Sequence, residues 1–186
     1  MRQLLLVCSL FIATAFAQSS QNPAATVAPC DQSPDDAVRY TVLLAGNRAG
    51  VQTSWTAAGG KSIQTCFEFN DRGRGPRLRT EIRLSSNAAP VFERTRGNDY
   101  LKGAVDEQFA LENGQANWSN QAEHDRKPVS APAFYVSMNG PPEEIAVLLR
   151  ALLAAPNRTL ALLPAGQATA ERVGELAVSA GGQKKR

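Results

Sequence analysis

Short runs in which apolar and polar residues alternate occupy most of the chain between residues 40 and 119. Such a period of two predicts strands with one buried face. Turn residues separate the runs, and Asn113-Gly114 is the strongest hairpin signal among them. The predicted strands cover residues 40–44, 51–57, 63–69, 78–84, 91–96, 105–112 and 116–119. Short strands joined by tight turns predict an antiparallel meander.

A helical period marks the segment that follows Pro141. The residues that recur at the spacing of one helical face are Ile145, Leu148, Leu149 and Leu152. Glu143 and Glu144 begin the segment, where the positive end of the helix dipole favours negative charge. We therefore predict a helix over about residues 142–155. Its stripe is expected to cover the apolar face of the sheet, with Leu148, Leu149 and Leu152 in the core.

Two further strands are predicted after the helix, at residues 159–163 and 169–179. The predicted fold class is α+β, mostly β. It consists of an antiparallel meander of about 7–9 strands packed on one helix in the C-terminal half. The body, residues 39–180, has the length of a single domain.

The first 17 residues have the pattern of a secretory signal peptide. Residue 2 is basic, residues 4–16 are apolar, and small residues precede a cleavage site after Ala17. The apolar stretch is shorter than the roughly 20 residues that a span needs, so no stable membrane span is expected. We expect an exported protein, periplasmic or secreted, with a flexible Pro/Ser-rich lead-in over residues 18–38.

The charge of the folded body is close to neutral. The chain has 20 Lys and Arg against 17 Asp and Glu, and four of the basic residues lie at position 2 and positions 184–186. This balance does not support the basic footprint of a nucleic-acid-binding protein. His124 is the single histidine, which excludes a metal site built from several histidines. We expect His124 in a polar surface loop.

Two pairs of residues are candidate functional or structural sites. Arg72 and Arg74 lie in the Gly-rich string 70–76, where two guanidinium groups could bind an anion. The same string fits a wide hairpin turn, which is the interpretation that we favour. Cys30 and Cys66 could form a disulfide in an oxidising compartment or stay as two free thiols, and the sequence leaves both open.

Four strings in order carry a resemblance to a known family. They are FEFNDRGRGP at 67–76, NDYLK at 98–102, AFYVSMNG at 133–140, and LRALLAAP at 149–156 with LLPAG at 162–166. Together they resemble the N-terminal β-rich region of exported bacterial proteins of the amidohydrolase family. In those proteins a metal-dependent, imidazolonepropionase-like barrel follows. The resemblance covers about residues 39–178.

This resemblance implies a non-catalytic accessory domain whose partner is the catalytic barrel of the same protein. The family's metal ligands are chiefly histidines, beginning with a His-x-His pair, and this sequence has no such pair. No catalytic or metal-binding residue is therefore carried over, and a divalent metal cofactor would belong to the barrel. The basic tail, residues 181–186, is expected to mark a truncation before the barrel, which would leave the chain inactive by itself.

An alternative interpretation needs no barrel. A curved antiparallel sheet on a Leu-rich helix could also be a free-standing periplasmic module that binds an apolar ligand, such as a lipid. An independent hydrolase is the least supported class, because no nucleophile–base pair and no metal-ligand set is visible in the sequence.

Overall fold

Eight strands form one antiparallel sheet in the computed structural model, which describes residues 27–57, 59–60, 62–180 and 183–185. Each strand pairs with the next one along the chain. The strands are β1 (Val38–Leu44), β2 (Asn47–Thr56), β3 (Ser62–Phe69), β4 (Arg77–Leu84), β5 (Pro90–Asn98), β6 (Ala104–Glu112), β7 (Gln115–Ser119) and β8 (His124–Pro128). The predicted mostly β fold class and its antiparallel meander are confirmed. The predicted signal peptide, residues 1–17, lies outside the described residues.

The two faces of this sheet differ in character. In β4, Leu78, Thr80 and Ile82 are buried on what we call the inner face, and the charged residues between them reach the outer face. Threonines at matching register positions of β3, β4 and β5 form a polar row across the inner face. Within this row, Thr80 Oγ1 lies 2.9 Å from Thr95 Oγ1, so the two hydroxyls satisfy each other.

A second unit, which we call the cover, lies on the inner face. It consists of β9 (Ala133–Tyr135), α1 (Glu143–Ala154), β10 (Thr159–Leu163) and β11 (Gln167–Thr169). Strand β10 lies between β9 and β11, and it runs parallel to β9 because α1 connects the two as a crossover. The helix and β10 lie where the sequence predicts them, whereas the parallel pairing of β9 with β10 was not predicted.

The strand predicted for residues 169–179 does not form. Strand β11 ends at Thr169, and residues 170–177 belong to no strand. The largest apolar residues of this segment, Val173 and Leu176, are 96% and 81% exposed, so no burial holds the segment in an extended sheet. A separate antiparallel pair of strands follows, formed by β12 (Val178–Ala180) and β13 (Gln183–Lys185).

The cover and the inner face enclose two apolar clusters. The first joins Ile82 of the sheet to Phe134 of β9 and to the helix. The second joins Phe109 and Trp118 of the sheet to Tyr135, whose ring stacks on Phe109 with centroids 4.9 Å apart. The sheet and the cover thus bury each other's apolar face, which neither layer could bury alone.

The helix turns a different face to the sheet from the one predicted. Its buried residues are Glu144, Val147, Ala151 and Leu152. Leu148 is half-buried, but Leu149 is 51% exposed, so the prediction of Leu149 as a core position is wrong. Valine and alanine occupy the contact with the sheet, and the larger residues Ile145, Leu149 and Leu153 form a row on the side away from it. The apolar surface of α1 is therefore wider than the part of it that packs against the sheet.

This rotation of the helix predicts unequal costs for two similar substitutions. We expect Leu152→Ala to lower the free energy of unfolding by about 2 kcal/mol, because it leaves a cavity in the first cluster. The matched control Leu149→Ala should change it by less than about 0.5 kcal/mol. Urea denaturation of both variants measures the difference, and equal losses would contradict the observed orientation of the helix.

A disulfide fastens the start of the described chain to the outer face. Cys30 and Cys66 are bonded, and both are fully buried. Ser33 Oγ lies 2.6 Å from Thr53 Oγ1, and the Arg79 side chain donates hydrogen bonds to the carbonyl groups of residues 28 and 29. Residues 28–33 of the lead-in are therefore held against β2, β3 and β4.

Candidate functional site

Three glutamates meet beneath the cover. Glu93 of β5 lies opposite Phe109, and Glu107 of β6 lies opposite Thr95, so the two glutamates are diagonal neighbours on the inner face. Glu144, in the first turn of α1, approaches them from the cover and interacts electrostatically with both. Their exposed fractions are 2%, 2% and 7%, which is unusual for glutamate. We call these residues the carboxylate cluster.

Glu107 accepts hydrogen bonds with both carboxylate oxygens. The Tyr135 hydroxyl (2.8 Å) and the Met138 amide (2.7 Å) donate to Oε1. The backbone amide and side-chain amide of Asn139 donate to Oε2, at 2.9 and 3.2 Å. Burial and the neighbouring Glu107 raise the pKa of the Tyr135 phenol, so Tyr135 remains a proton donor. Glu107 thus fixes the loop between β9 and α1.

Glu144 holds the same loop from the helix. Its Oε1 accepts the backbone N–H of Ser137 at 2.9 Å, and its Oε2 accepts the Ser137 hydroxyl at 2.6 Å. A side chain at Gly140 would overlap both Glu144 Oε2 and Ser137 Oγ, so it would displace the side chains that form this hydrogen bond. Burial raises the pKa of Glu144, and the bonds from Ser137 oppose that shift.

Glu93 is the member of the cluster without hydrogen bonds. Neither of its carboxylate oxygens has a partner among the described residues. Burial raises the pKa of Glu93 well above the ordinary value, and the charges of Glu144 and Glu107 raise it further. The Ser137 hydroxyl lies close enough to favour the charged form of Glu93, but its hydrogen bond goes to Glu144. Burial and the two neighbouring carboxylates therefore favour the neutral, protonated form of Glu93.

An apolar cavity of about 340 Å³ lies beside Glu144. Its apolar lining includes Phe67, Phe134, Val136, Met138, Ile145 and Leu148, and Ser137 and Glu144 form its polar end. Ile145, which lines the cavity, is also the first residue of the exposed apolar row of the helix. We call Val136, Met138, Ile145, Leu149 and Leu153 the docking face; their exposed fractions are 44%, 55%, 69%, 51% and 57%.

The residues predicted from sequence lie elsewhere. Arg72 and Arg74 are in the hairpin turn between β3 and β4, where both guanidinium groups lie about 4 Å from the Asp71 carboxylate. The Arg74 guanidinium also lies over the Tyr100 ring, 5.2 Å from its centroid. Asn70 Oδ1 accepts the Gly73 amide, as the hairpin interpretation expects. His124 is exposed and is the first residue of β8, so its assignment to a loop was wrong.

The carboxylate cluster holds a loop in place and is not open to a substrate. Its three residues are buried, and Glu107 and Glu144 accept hydrogen bonds from the loop at residues 137–139. Among the described residues, no group of three or more His, Cys, Asp or Glu side chains is arranged to hold a metal ion. Within the same part of the chain, no helix is long and apolar enough to cross a membrane.

No protein-family model, curated protein or solved structure matches the chain.

Proposed function

We propose that this chain is a non-catalytic accessory domain of an exported amidohydrolase-family protein, and that its docking face binds the catalytic barrel. The observation that carries the proposal is the row of large apolar side chains on the outer side of α1. Ile145, Leu149 and Leu153 are each more than half exposed and follow one another at a spacing of four residues. A contiguous exposed apolar surface is typical of an interaction site.

The structure of the cover supports a role in presenting this surface. Glu107 and Glu144 fix the loop that carries Val136 and Met138, and the first apolar cluster fixes the helix. A surface held rigidly in the free protein loses little conformational entropy on binding. The disulfide between Cys30 and Cys66 agrees with an oxidising, extracytoplasmic location.

The proposal assigns the chemistry to the barrel. Metal-dependent hydrolysis needs three or more protein ligands and an open position for water. In the proposed division, the barrel provides those ligands and the divalent metal, and this domain provides a docking surface. Zinc- or manganese-loaded protein beginning at Gln18 is therefore expected to hydrolyse neither cyclic amides nor dipeptides without the barrel.

A binding experiment tests the proposal. The probe is a purified, metal-loaded amidohydrolase barrel from an exported protein of the same organism. We expect Leu149→Asp to weaken binding of the chain to this barrel by about tenfold or more, because it places a charge in the centre of an apolar contact. The control is Leu101→Asp, at a residue that is 73% exposed in the turn between β5 and β6. Absence of binding, or equal binding by both variants, would contradict the proposal.

The cavity beside Glu144 favours a second candidate function, which is the binding of an apolar ligand. Its volume of about 340 Å³ lies in the range of small-molecule sites, and its lining is mostly apolar with a polar end. Native mass spectrometry of the chain purified from its host distinguishes the two functions. A bound lipid that is lost in the variant Ile145→Asp would favour the ligand-binding module, whereas a ligand-free chain that binds the barrel would favour the accessory domain.

A further inference from the structure

The two edges of the eight-stranded sheet are built differently. Strand β8, at one edge, has the sequence HDRKP and is exposed along its length. Charges and a proline are the usual means by which proteins keep an edge strand from pairing with another chain. Strand β1, at the other edge, has the sequence VRYTVLL and a single charge, that of Arg39. The β1 edge lacks the protection that β8 has.

Strand β1 also exposes its apolar side chains. Val38, Tyr40 and Leu43 are 54%, 52% and 59% exposed. The register shift near Val42 places an additional residue, Ala49, in β2 and none in β1. The alternation of β1 is therefore uninterrupted, and among the described residues its outer edge pairs with no strand. A regular, apolar, seven-residue edge is a template for pairing.

We propose that β1 pairs with β1 of a second copy of this chain, antiparallel and centred on Thr41. This register is the one in which all seven residues of β1 are paired. It places Val38 opposite Leu44 and Tyr40 opposite Val42 of the other copy, so apolar side chains meet on one face. The pairing is isologous, as a two-fold symmetric dimer requires.

The single charge of β1 supports a second copy as the occupant. In this register each Arg39 lies opposite Leu43 of the other copy, on the outer face, and the two Arg39 residues do not oppose each other. Like charges directly opposite would destabilise the pair. The cover packs on Ile82, Phe109 and Trp118 in the middle and far part of the sheet, which leaves the inner side of β1 open for the partner.

Two substitutions at Leu43 test the register. Both remove the same exposed side chain, but Leu43→Lys places a positive charge opposite Arg39 of the other copy, and Leu43→Glu places a negative one there. We expect the dimer dissociation constant of L43K to exceed that of L43E by about tenfold or more, because the dimer contains two such pairs. Sedimentation velocity over a micromolar concentration series of the chain beginning at Gln18 measures both constants.

Each outcome of this experiment decides the proposal. A dimer of the unsubstituted chain, with L43E retaining it and L43K losing it, supports the pairing at Thr41. A chain that stays monomeric, forms a larger assembly, or dissociates equally in both variants would overturn it. The Leu149→Asp variant should dimerise normally, since the docking face lies on the helix, so failure of this proposal and failure of the proposed function are separate results.

Discussion

The variant Glu107→Ala is expected to lose about 3–5 kcal/mol of unfolding free energy, which is the largest effect that we expect for one substitution. Glu107 accepts bonds from the Tyr135 hydroxyl, from the Met138 and Asn139 amides and from the Asn139 side chain. Alanine would leave these donors buried without an acceptor. Equilibrium denaturation by urea, followed by tryptophan fluorescence of the nearby Trp118, measures the loss.

A control on the same strand separates this loss from the effect of removing any glutamate. Glu112, at the exposed end of β6, makes none of these contacts, so Glu112→Ala should change the unfolding free energy by less than about 0.5 kcal/mol. Glu107→Gln should fall between the two, because its amide keeps one acceptor and turns a donor toward the Asn139 amide. Similar stability of E107A and E112A would show that Glu107 does not hold the loop.

The second large effect is a pH dependence that originates in Glu93. Its pKa in the folded chain is raised well above the ordinary value of 4.5, mainly by burial. The unfolded chain therefore releases this proton first as the pH rises, and the folded chain keeps it. The contribution of protonated Glu93 to the free energy of unfolding is fully present below pH 4.5. It is lost as the pH rises through the folded pKa, and the free energy of unfolding falls by up to about 1.4 kcal/mol per pH unit.

The variant Glu93→Gln isolates this contribution from other titrating groups. Glutamine is neutral at every pH, so the decrease in stability that Glu93 causes should disappear, and the variant should be the more stable protein in alkaline solution. Unfolding free energies of both proteins across a pH series give the difference directly. Parallel curves would mean that Glu93 titrates normally and is not buried as a neutral acid.

The strands of the meander were predictable because local chemistry determines them. The alternation of Leu78, Thr80 and Ile82 matches a sheet with one buried face, and Asn113-Gly114 forms the turn expected from its type. Strand β9 was not predicted because three residues, Ala133–Tyr135, are too short to show a period. It is a strand because β10 pairs with it after the crossover, and this long-range contact leaves no local signal.

The orientation of the helix was not predictable from the apolar stripe alone. Six large apolar residues are spread over more than one face of α1, and the face that packs against the sheet is the one with Val147 and Ala151.

The carboxylate cluster was missed for a different reason. Glu144 was explained by the helix dipole, and Glu93 and Glu107 were not recognised as buried, although Glu107 is in phase with the buried residues Val105 and Phe109. A glutamate at an apolar position of the alternation was the signal that could have identified the site.

The order of the strands has a consequence for the way in which the chain folds. Every pairing in the large sheet joins sequence neighbours, so the sheet can be assembled one hairpin at a time once residues 38–128 are available. The cover comes from later positions, and until it closes, Glu93 faces water and ionises as an ordinary carboxyl does. Because burial raises the pKa of Glu93, closing the cover over an ionised Glu93 favours uptake of a proton from the solvent. Acidic surroundings should therefore favour closure of the cover.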